Sequence, residues 1–293
     1  MQPNVSLKKY TTMQLGGPAR VLTTAKTRQD IVSFVDQAEE QHIPLLVIGA
    51  GSNIIVKDEG FSGMVILNRI PSFEVVEDSS PNVSIIKAGS GMVWDELVKE
   101  TVALELSGIE NLSAIPGYVG AAPIQNIGAY GQEIANTLTE LEAYDIQEKK
   151  FVTLKNGDCN FTYRESIFNS TEKHRYIIVS ISLELSKQPQ IPPFYDSLQR
   201  YLESQEITDY SPRNLRHAVQ AIRAERLPDP SIIANTGSFF KNPIVEKWKV
   251  DQLKELCPDV PLFDMGSNLF KLSAGWLIEK AGLAGLEMNG MAL

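Results

Sequence analysis

The sequence predicts an α+β protein, and three observations support this prediction. Apolar residues recur with helical spacing in some stretches and form short strand-like runs in others, without a regular βαβ alternation. The composition is 43% hydrophobic and 22% charged, an ordinary globular balance. A chain of 293 residues is also long enough for two or three domains with substantial cores.

The first hundred residues predict two helices and several short strands. Residues 28–41 and 92–106 carry apolar side chains at helical spacing. Residues 44–48, 65–67 and 83–87 are short apolar runs of the kind that form buried strands.

The middle of the chain predicts an ordered loop followed by strands. Residues 112–131 have no clear period and contain glycines, small residues and two prolines, so we expect an ordered loop. Three later segments predict strands: 141–146, 151–154 and 176–185. Asn156-Gly157 is a strong tight-turn signal after the second of these.

The C-terminal third predicts a domain boundary and three helices. Prolines cluster at residues 188–193, and Ser211-Pro212 is a typical helix start, which the proline-containing segment 227–230 would end. Residues 247–256 and 272–281 predict the last two helices. The chain ends on three apolar residues that read as the start of a strand without continuation.

Charge and cysteine content limit the classes of function. The formal net charge of −9 provides no overall basic field for nucleic acid, so an anionic substrate requires a local cationic pocket. Cys159 and Cys257 lie too far apart for a metal-ligand motif, which fits a reducing compartment. The N-terminus lacks an apolar signal core, and no apolar run approaches the roughly 20 residues of a membrane span. We therefore expect a cytoplasmic protein.

The first motif is a glycine-containing turn after the strand at 44–48. It contains Gly49, Gly51, Ser52 and Asn53, whose backbone and side chains can supply donors to a phosphate. A Rossmann motif would need a helix next, whereas residues 54–56 read as a strand. We interpret the motif as a pyrophosphate site in a turn, and an ordinary tight turn is the alternative.

The second motif is residues 115–131, with four glycines and three alanines. Few side chains cover this backbone, so a flat cofactor ring and a diphosphate can lie against it. The alternative is a structural crossover loop. The candidate residues are Pro116, Gly117, Gly120, Gln125, Asn126, Gly128, Tyr130 and Gly131. Of these, Gln125 and Asn126 are suited to hydrogen-bond a flavin edge.

Two further motifs carry side chains for chemistry. Arg164, beside Tyr163, can hold a carboxylate in two parallel hydrogen bonds, unless it is a surface residue paired with Glu165. Ser238, before Phe239 and Phe240, can present its hydroxyl as a proton donor in a dry pocket. The alternative for the latter is a turn whose phenylalanines fill the core.

These motifs, in this order, resemble the UDP-N-acetylenolpyruvoylglucosamine reductase family of flavoproteins, also called UDP-N-acetylmuramate dehydrogenases. The resemblance extends from about Thr11 to the last residue. It is most specific at 49–53, 115–131, 163–168, 227–230, 237–243 and 274–278.

The resemblance implies a fold, cofactors and a reaction. It implies a two-subdomain FAD-binding fold of the vanillyl-alcohol-oxidase (PCMH) type, with subdomains at 1–70 and 71–227, and a smaller α+β substrate-binding domain at 228–293. It also implies non-covalent FAD, NADPH as electron donor, and reduction of the enolpyruvyl group of a UDP sugar to UDP-N-acetylmuramate in peptidoglycan synthesis. A monomer without nucleic-acid, membrane or metal partners is the expectation.

The resemblance also implies roles for particular residues. Arg164 would hold the substrate carboxylate, and Ser238 would donate the proton. The substrate-binding residues would be Tyr163, Tyr195, Arg226 and Asn242. Tyr195 would belong to a loop that covers the substrate, and Arg226 stands where a lysine is common in the family.

One departure leaves alternatives open. The family chain continues past the motif at 290–293 and supplies a catalytic glutamate there, so the present sequence reads as truncated. Glu225, Glu279 and Glu287 match no such motif, and no residue is assigned that role. The alternatives are an inactive FAD- or nucleotide-sugar-binding remnant and another oxidase of the same flavin fold.

Overall fold

The structure is a computed structural model that describes residues 1–76 and 80–293. The chain divides into two units, Met1–Gly237 and Ser238–Leu293. No helix in the described part of the chain is both long and apolar enough to cross a membrane.

The first sheet of the N-terminal unit has four strands, in the order β1-β2-β4-β3. These strands are β1 Gln2–Ser6, β2 Pro18–Ala25, β3 Leu45–Ile48 and β4 Phe61–Asn68. β4 pairs in parallel with both β2 and β3, and helix α1 (Arg28–Glu40) connects β2 to β3. A reciprocal hydrogen-bonded cap between Thr27 and Asp30 explains where α1 begins.

The second sheet has five antiparallel strands. In chain order they are β5 Phe73–Val76, β6 Val83–Gly89, β9 Leu138–Asp145, β10 Lys150–Lys155 and β11 Tyr176–Ser186, arranged as β10-β9-β11-β6-β5. Helix α2 (Trp94–Ala103) follows β6, and a short hairpin, β7 Gly128–Ala129 with β8 Gln132–Glu133, precedes β9. The largest buried core of the unit lies beneath this sheet, because α2 and the segment after it bury their apolar side chains there.

Two helices complete the N-terminal unit. Helix α3 is Asp196–Ser204 and helix α4 is Pro212–Arg226. They pack against each other through an apolar stripe at helical spacing, formed by Leu198, Leu202, Leu215, Ala218, Val219 and Ile222. Because the apolar stripe of α4 faces α3, it determines which side chains of α4 point away from this small core.

The C-terminal unit is a small α+β body. It contains the antiparallel strands β12 Ile244–Glu246, β13 Leu262–Asp264 and β14 Leu269–Leu272, in the order β12-β14-β13. Helix α5 is Lys247–Leu256 and helix α6 is Ala274–Lys280. A last hairpin pairs β15 Glu287–Met288 with β16 Met291–Ala292.

Most of the predicted elements are confirmed, and two details differ. The helices predicted from residues 28, 92, 212, 247 and 272 are present within a few residues of those starts. The prediction of a strand at 54–56 is wrong, since these residues have no regular structure, although no helix follows the glycines either. The domain boundary predicted at 188–193 lies inside the unit Met1–Gly237. The tight turn predicted at Asn156-Gly157 is present, as the 3₁₀ turn Asn156–Cys159.

Candidate functional site

The two glycine-containing segments lie against each other. The Ser52 hydroxyl donates to the Pro116 carbonyl at 2.9 Å, and the Asn53 amide donates to Oε1 of Gln125 at 2.5 Å. A Cβ placed on Gly49 would stand 3.5 Å from Cβ of Ala121. Segments that are 64 and 72 residues apart in sequence therefore form one surface.

The glycines of this surface serve two purposes. At Gly51 and Gly120 any side chain is excluded by neighbours, since a Cβ would be 2.0 Å from the Tyr10 carbonyl oxygen or 2.5 Å from Cβ of Ser90. At Gly117 and Gly131 a Cβ would touch a single neighbouring side-chain atom, at 3.6 Å. The first kind allows close packing of the segments, and the second leaves bare backbone that a ligand can approach.

Further residues join this surface that the sequence analysis did not find. The Thr236 hydroxyl donates to the Ser52 carbonyl at 3.1 Å. The Arg69 guanidinium lies 4.1 Å from the centre of the Tyr118 ring, and burial lowers the pKa of Arg69 while Tyr118 opposes that shift. No sequence motif marks these contacts, because each depends on distant segments meeting.

Arg164 is attached to the second glycine-containing segment. Its Nη2 donates to the Gly128 carbonyl at 2.5 Å and its Nη1 to the Asn126 carbonyl at 3.3 Å. Its guanidinium also lies 5.3 Å from the centre of the Tyr163 ring. The alternative of a surface arginine paired with Glu165 is therefore not what the structure contains. An arginine has five N–H donors, so further donors remain for an anion.

Asn126 has its side chain committed to the fold. It is 1% exposed, its Nδ2 donates to Glu133 and to the Thr162 carbonyl, and its Oδ1 accepts from the Ala135 amide. These bonds shape the loop. They use both N–H groups of the Asn126 side chain, so neither is free to bind a flavin edge. That Asn126 binds cofactor through its side chain remains a prediction, and its carbonyl contact to Arg164 is the observed role.

Several residues of the site have a backbone conformation that is uncommon for a side chain. Ala114, Asn126, Tyr130 and Arg164 all have φ between 46° and 58°, in the left-handed region. Such conformations are concentrated at functional sites, where surrounding contacts hold them. Asn126 and Tyr130 lie within the segment 115–131, Ala114 directly precedes it and Arg164 contacts it, although other residues from Asn4 to Asn289 also have positive φ.

Tyr130 lies between aromatic and cationic neighbours. Its ring meets that of Tyr195 edge-to-face, with centroids 6.2 Å apart. Burial raises the pKa of Tyr130, and Arg223 and Arg226 partly oppose that shift. Burial also lowers the pKa of Arg223. Helix α4 thus brings two cations to this hairpin, and they give the acidic protein a local positive charge; Arg223 was not identified from sequence.

The remaining two predicted residues belong to the C-terminal unit. Ser238 is exposed there, and Phe239 and Phe240 are 65% and 52% exposed, so its own unit provides neither a dry pocket nor a core filled by the phenylalanines. The Asn242 side chain accepts from the Ala274 amide at 2.9 Å, at the start of α6. Its predicted contact with substrate remains a prediction.

Metal ligation has no visible basis in the described residues. Within 1–76 and 80–293, no group of three or more His, Cys, Asp or Glu side chains is placed to hold an ion. The three histidines, at 42, 174 and 217, are exposed.

Comparison with known proteins identifies two family models and close relatives. Residues 19–154 match an FAD binding domain, and residues 229–293 match the UDP-N-acetylenolpyruvoylglucosamine reductase, C-terminal domain. A UDP-N-acetylenolpyruvoylglucosamine reductase of Ralstonia nicotianae is 38% identical over 100% of this chain and 86% of its own length. The reductase of Cupriavidus pinatubonensis is 39% identical over 96% of this chain and 82% of its own.

A solved structure agrees. The crystal structure of UDP-N-acetylenolpyruvylglucosamine reductase from Thermus caldophilus is similar with a TM-score of 0.66 and 26% identity. The similarity covers 98% of this chain and 82% of that one.

Proposed function

Because this chain belongs to the UDP-N-acetylenolpyruvoylglucosamine reductase family, we propose that Arg164 and Ser238 carry out the chemistry of that family here and that Tyr163 lines the substrate site. The protein is an FAD-dependent oxidoreductase that uses NADPH to reduce the enolpyruvyl group of UDP-N-acetylenolpyruvoylglucosamine to UDP-N-acetylmuramate, in peptidoglycan synthesis. When bound, FAD would supply the hydride-transfer chemistry between NADPH and the substrate.

The residues present fit FAD. The surface formed by 49–53 and 115–131 has the bare backbone that a dinucleotide needs. Between Gly49 and the side chains of Tyr118 and Ala121 there is a space that a Cβ on Gly49 would fill. We propose that the cofactor is held by the residues predicted from sequence in these two segments. They are Gly49, Gly51, Ser52, Asn53, Pro116, Gly117, Gly120, Gln125, Asn126, Gly128, Tyr130 and Gly131.

Arg164 is proposed to bind the substrate carboxylate. One edge of the guanidinium is fixed by the Gly128 and Asn126 carbonyls, so the group is oriented before substrate arrives. A guanidinium held in this way stabilises the negative charge that develops on the carboxylate side as hydride reaches the terminal carbon. The attachment of Arg164 to Gly128 is the single observation that carries this proposal.

Ser238 is proposed to deliver the proton to the carbon next to the hydride acceptor. Its hydroxyl is exposed in its own unit and therefore available to a ligand. Tyr163 and Tyr195 would line the substrate site, Arg226 would meet the diphosphate, and Asn242 would contact the diphosphate or the sugar. Arg223, next to Tyr130, would add to the positive charge that attracts this anionic substrate.

We also propose the domain limits 1–70, 71–227 and 228–293. The first sheet ends at Asn68 before the second begins at Phe73, and helix α4 ends at Arg226, which supports both limits. We propose that the protein works as a monomer in the cytoplasm. The two cysteines are free thiols, which fits the reducing conditions of that compartment. Sedimentation of the purified holoprotein tests the oligomeric state.

The reaction is tested by following the flavin absorbance of the purified protein without oxygen. NADPH should bleach the bound FAD, and the enolpyruvyl nucleotide sugar should restore the colour with formation of UDP-N-acetylmuramate. Ser238→Ala should keep the bleaching step and slow the recolouring by a factor of about 10²–10⁴, as expected for loss of an acid. Ser231→Ala, at another exposed serine, is the matched control. Bleaching without recolouring by this substrate would contradict the proposal.

A further inference from the structure

Glu110 is a buried carboxylate that connects three segments of the chain. It is 0% exposed. Its Oε2 accepts from the Gly108 amide at 2.5 Å and from Nε2 of Gln132 at 3.3 Å, and its Oε1 accepts from Nε2 of Gln190 at 2.6 Å. The three donors are neutral amides, so the carboxylate gains charge-assisted hydrogen bonds in a region of low dielectric.

One of these donors belongs to the connection between β11 and α3, residues 187–195. Most of this connection is exposed, and the Ile191 side chain beside Gln190 is 79% exposed. Gln190 is half-buried and turns inward to reach Glu110. The connection ends at Tyr195, whose ring contacts Tyr130. The end of the connection also packs inward, since the Phe194 ring meets that of Tyr210 with centroids 5.0 Å apart. Gln190 is therefore the inward side-chain contact in the middle of the connection, ahead of Phe194 and Tyr195.

The same carboxylate also supports the hairpin that carries Tyr130. Gln132, which donates to Glu110, lies on β8, and its Oε1 accepts from the Asn111 amide at 2.9 Å. The Asn111 side chain in turn donates to the Tyr130 carbonyl at 3.1 Å. A continuous chain of amide hydrogen bonds thus leads from Glu110 to Tyr130. Glu110 is therefore linked to both partners of the ring contact, to Tyr130 through Gln132 and Asn111 and to the connection that carries Tyr195 through Gln190.

We propose that Glu110 is a positioning residue that holds the connection 187–195 through Gln190, so that Tyr195 stays beside Tyr130 where substrate binds. This inference rests on the proposed substrate-binding role of Tyr195. Glu110 does not touch substrate in this scheme. Losing the hydrogen bond to Gln190 frees the connection and weakens substrate binding, and it leaves in place the Ser52–Pro116 and Asn53–Gln125 contacts that join the two glycine-containing segments.

The first test replaces the amide of Gln190 and keeps the length of the side chain. Gln190→Met should raise KM for the enolpyruvyl nucleotide sugar about tenfold, the effect of one hydrogen bond to a charged group, with kcat and the rate of flavin bleaching by NADPH unchanged. Gln190→Glu should also raise KM, because it removes the amide N–H that donates to Glu110. Gln188→Met, at an exposed glutamine of the same connection, should keep the wild-type KM.

The second test asks whether Glu110 acts through Gln190. Glu110→Gln and Gln190→Met should raise KM by less in combination than the product of their separate effects, because both remove the same contact. Independent, multiplicative effects would show that Glu110 acts elsewhere and would overturn the inference. If Glu110→Gln does not fold, the KM of Gln190→Met decides: a wild-type value overturns the inference.

A separate measurement distinguishes failure of this inference from failure of the proposed function. If the wild-type flavin is not recoloured by the nucleotide sugar, the proposed function fails. Amide hydrogen exchange over residues 187–195 then tests the structural claim, that Gln190 holds this connection in place. Faster exchange in Gln190→Met than in Gln188→Met supports the tether, and equal exchange overturns it.

Discussion

Arg216 and Asp95 form a two-point ion pair between α4 and α2, with Nη1 to Oδ1 at 2.6 Å and Nη2 to Oδ2 at 2.8 Å. The Arg216 side chain is 9% exposed and that of Asp95 is 31% exposed. Oδ1 of Asp95 also accepts from the Ala114 amide at 2.6 Å, immediately before the segment 115–131. The pair therefore fixes α4, with Arg223 and Arg226, against the start of the candidate cofactor segment.

Breaking this pair should destabilise the N-terminal unit. Arg216→Met keeps much of the aliphatic volume but leaves the Asp95 carboxylate partly buried without its cation. We expect the free energy of unfolding in urea to fall by about 2–3 kcal/mol, somewhat less than for a fully buried pair because Asp95 keeps some contact with water. Arg213→Met, at an exposed arginine of the same helix, should change stability little. Equal stabilities of the two variants would contradict this role.

The stabilisation from Asp95 should depend on pH in a defined direction. Burial raises its pKa most, but the hydrogen bonds from Arg216 and Ala114 and the charges of Arg216 and Arg223 together bring the pKa below its usual value. Because the folded-state pKa is depressed, the contribution is complete above the unfolded value of about 3.9 and is lost as pH falls through the folded value.

Unfolding of the wild type and of Asp95→Asn, measured between neutral pH and pH of about 3, tests this. The stability difference should be constant near neutrality and should shrink on acidification below about 4. A difference that grows in acid would show that the carboxylate is not stabilised in the folded state.

Substitution of Arg164 should affect substrate and spare the cofactor. Arg164→Lys keeps a positive charge but loses the planar fork that contacts both the Gly128 carbonyl and a carboxylate. We expect kcat/KM for the nucleotide sugar to fall by a factor of about 10²–10³, with the FAD content of the purified protein preserved. Arg200→Lys, at an exposed arginine on α3 paired with Asp196, is the control and should behave like wild type. If Arg164→Lys lost FAD in proportion to its loss of kcat/KM, the result would indicate that Arg164 only holds the segment 115–131 in place.

Gly120 should tolerate no side chain. A Cβ there would lie 2.5 Å from Cβ and 3.1 Å from Cα of Ser90, and the Gly120 amide donates to the Ser90 carbonyl at 3.0 Å, so neither partner can move away easily. Gly120→Ala should cost about 1–3 kcal/mol of stability and loosen FAD binding. Gly157→Ala, where nothing lies within 4 Å of the new Cβ, is the matched control. Thermal unfolding and retained flavin measure both effects.

The two cysteines should differ in reactivity. Burial raises the pKa of Cys159 to about 12, so the reactive thiolate is scarce near pH 8, whereas Cys257 is only half-buried. In the native protein a thiol reagent should label Cys257 first, and both cysteines should react in denaturant. Mass spectrometry of labelled peptides reads the site. Rapid labelling of Cys159 in the folded protein would contradict the buried placement.

Local signals account for the parts of the fold that the sequence predicted. Helix α5 was predicted at its observed bounds, and α4 starts at the predicted Ser-Pro step, because helical spacing and helix-start preferences act over a few residues. The glycines at 49–53 and 115–131 were also recognisable as a candidate site, since bare backbone is a property of composition. Residues 54–56 were mistaken for a strand because a short apolar run does not specify its pairing.

By itself the sequence determined where helices α1, α2, α4, α5 and α6 and six of the strands lie, and which segments are rich in glycine. It also predicted which arginine and serine carry the chemistry. Only the tertiary structure decided three hydrogen bonds. Ser52 donates to the Pro116 carbonyl, Arg164 donates to the Gly128 carbonyl, and the Asn126 side chain donates to Glu133. It also brought Arg216 to Asp95, 121 residues away in sequence. Such contacts follow from the packing of whole elements, which lowers the free energy collectively and leaves no signature in the neighbouring residues.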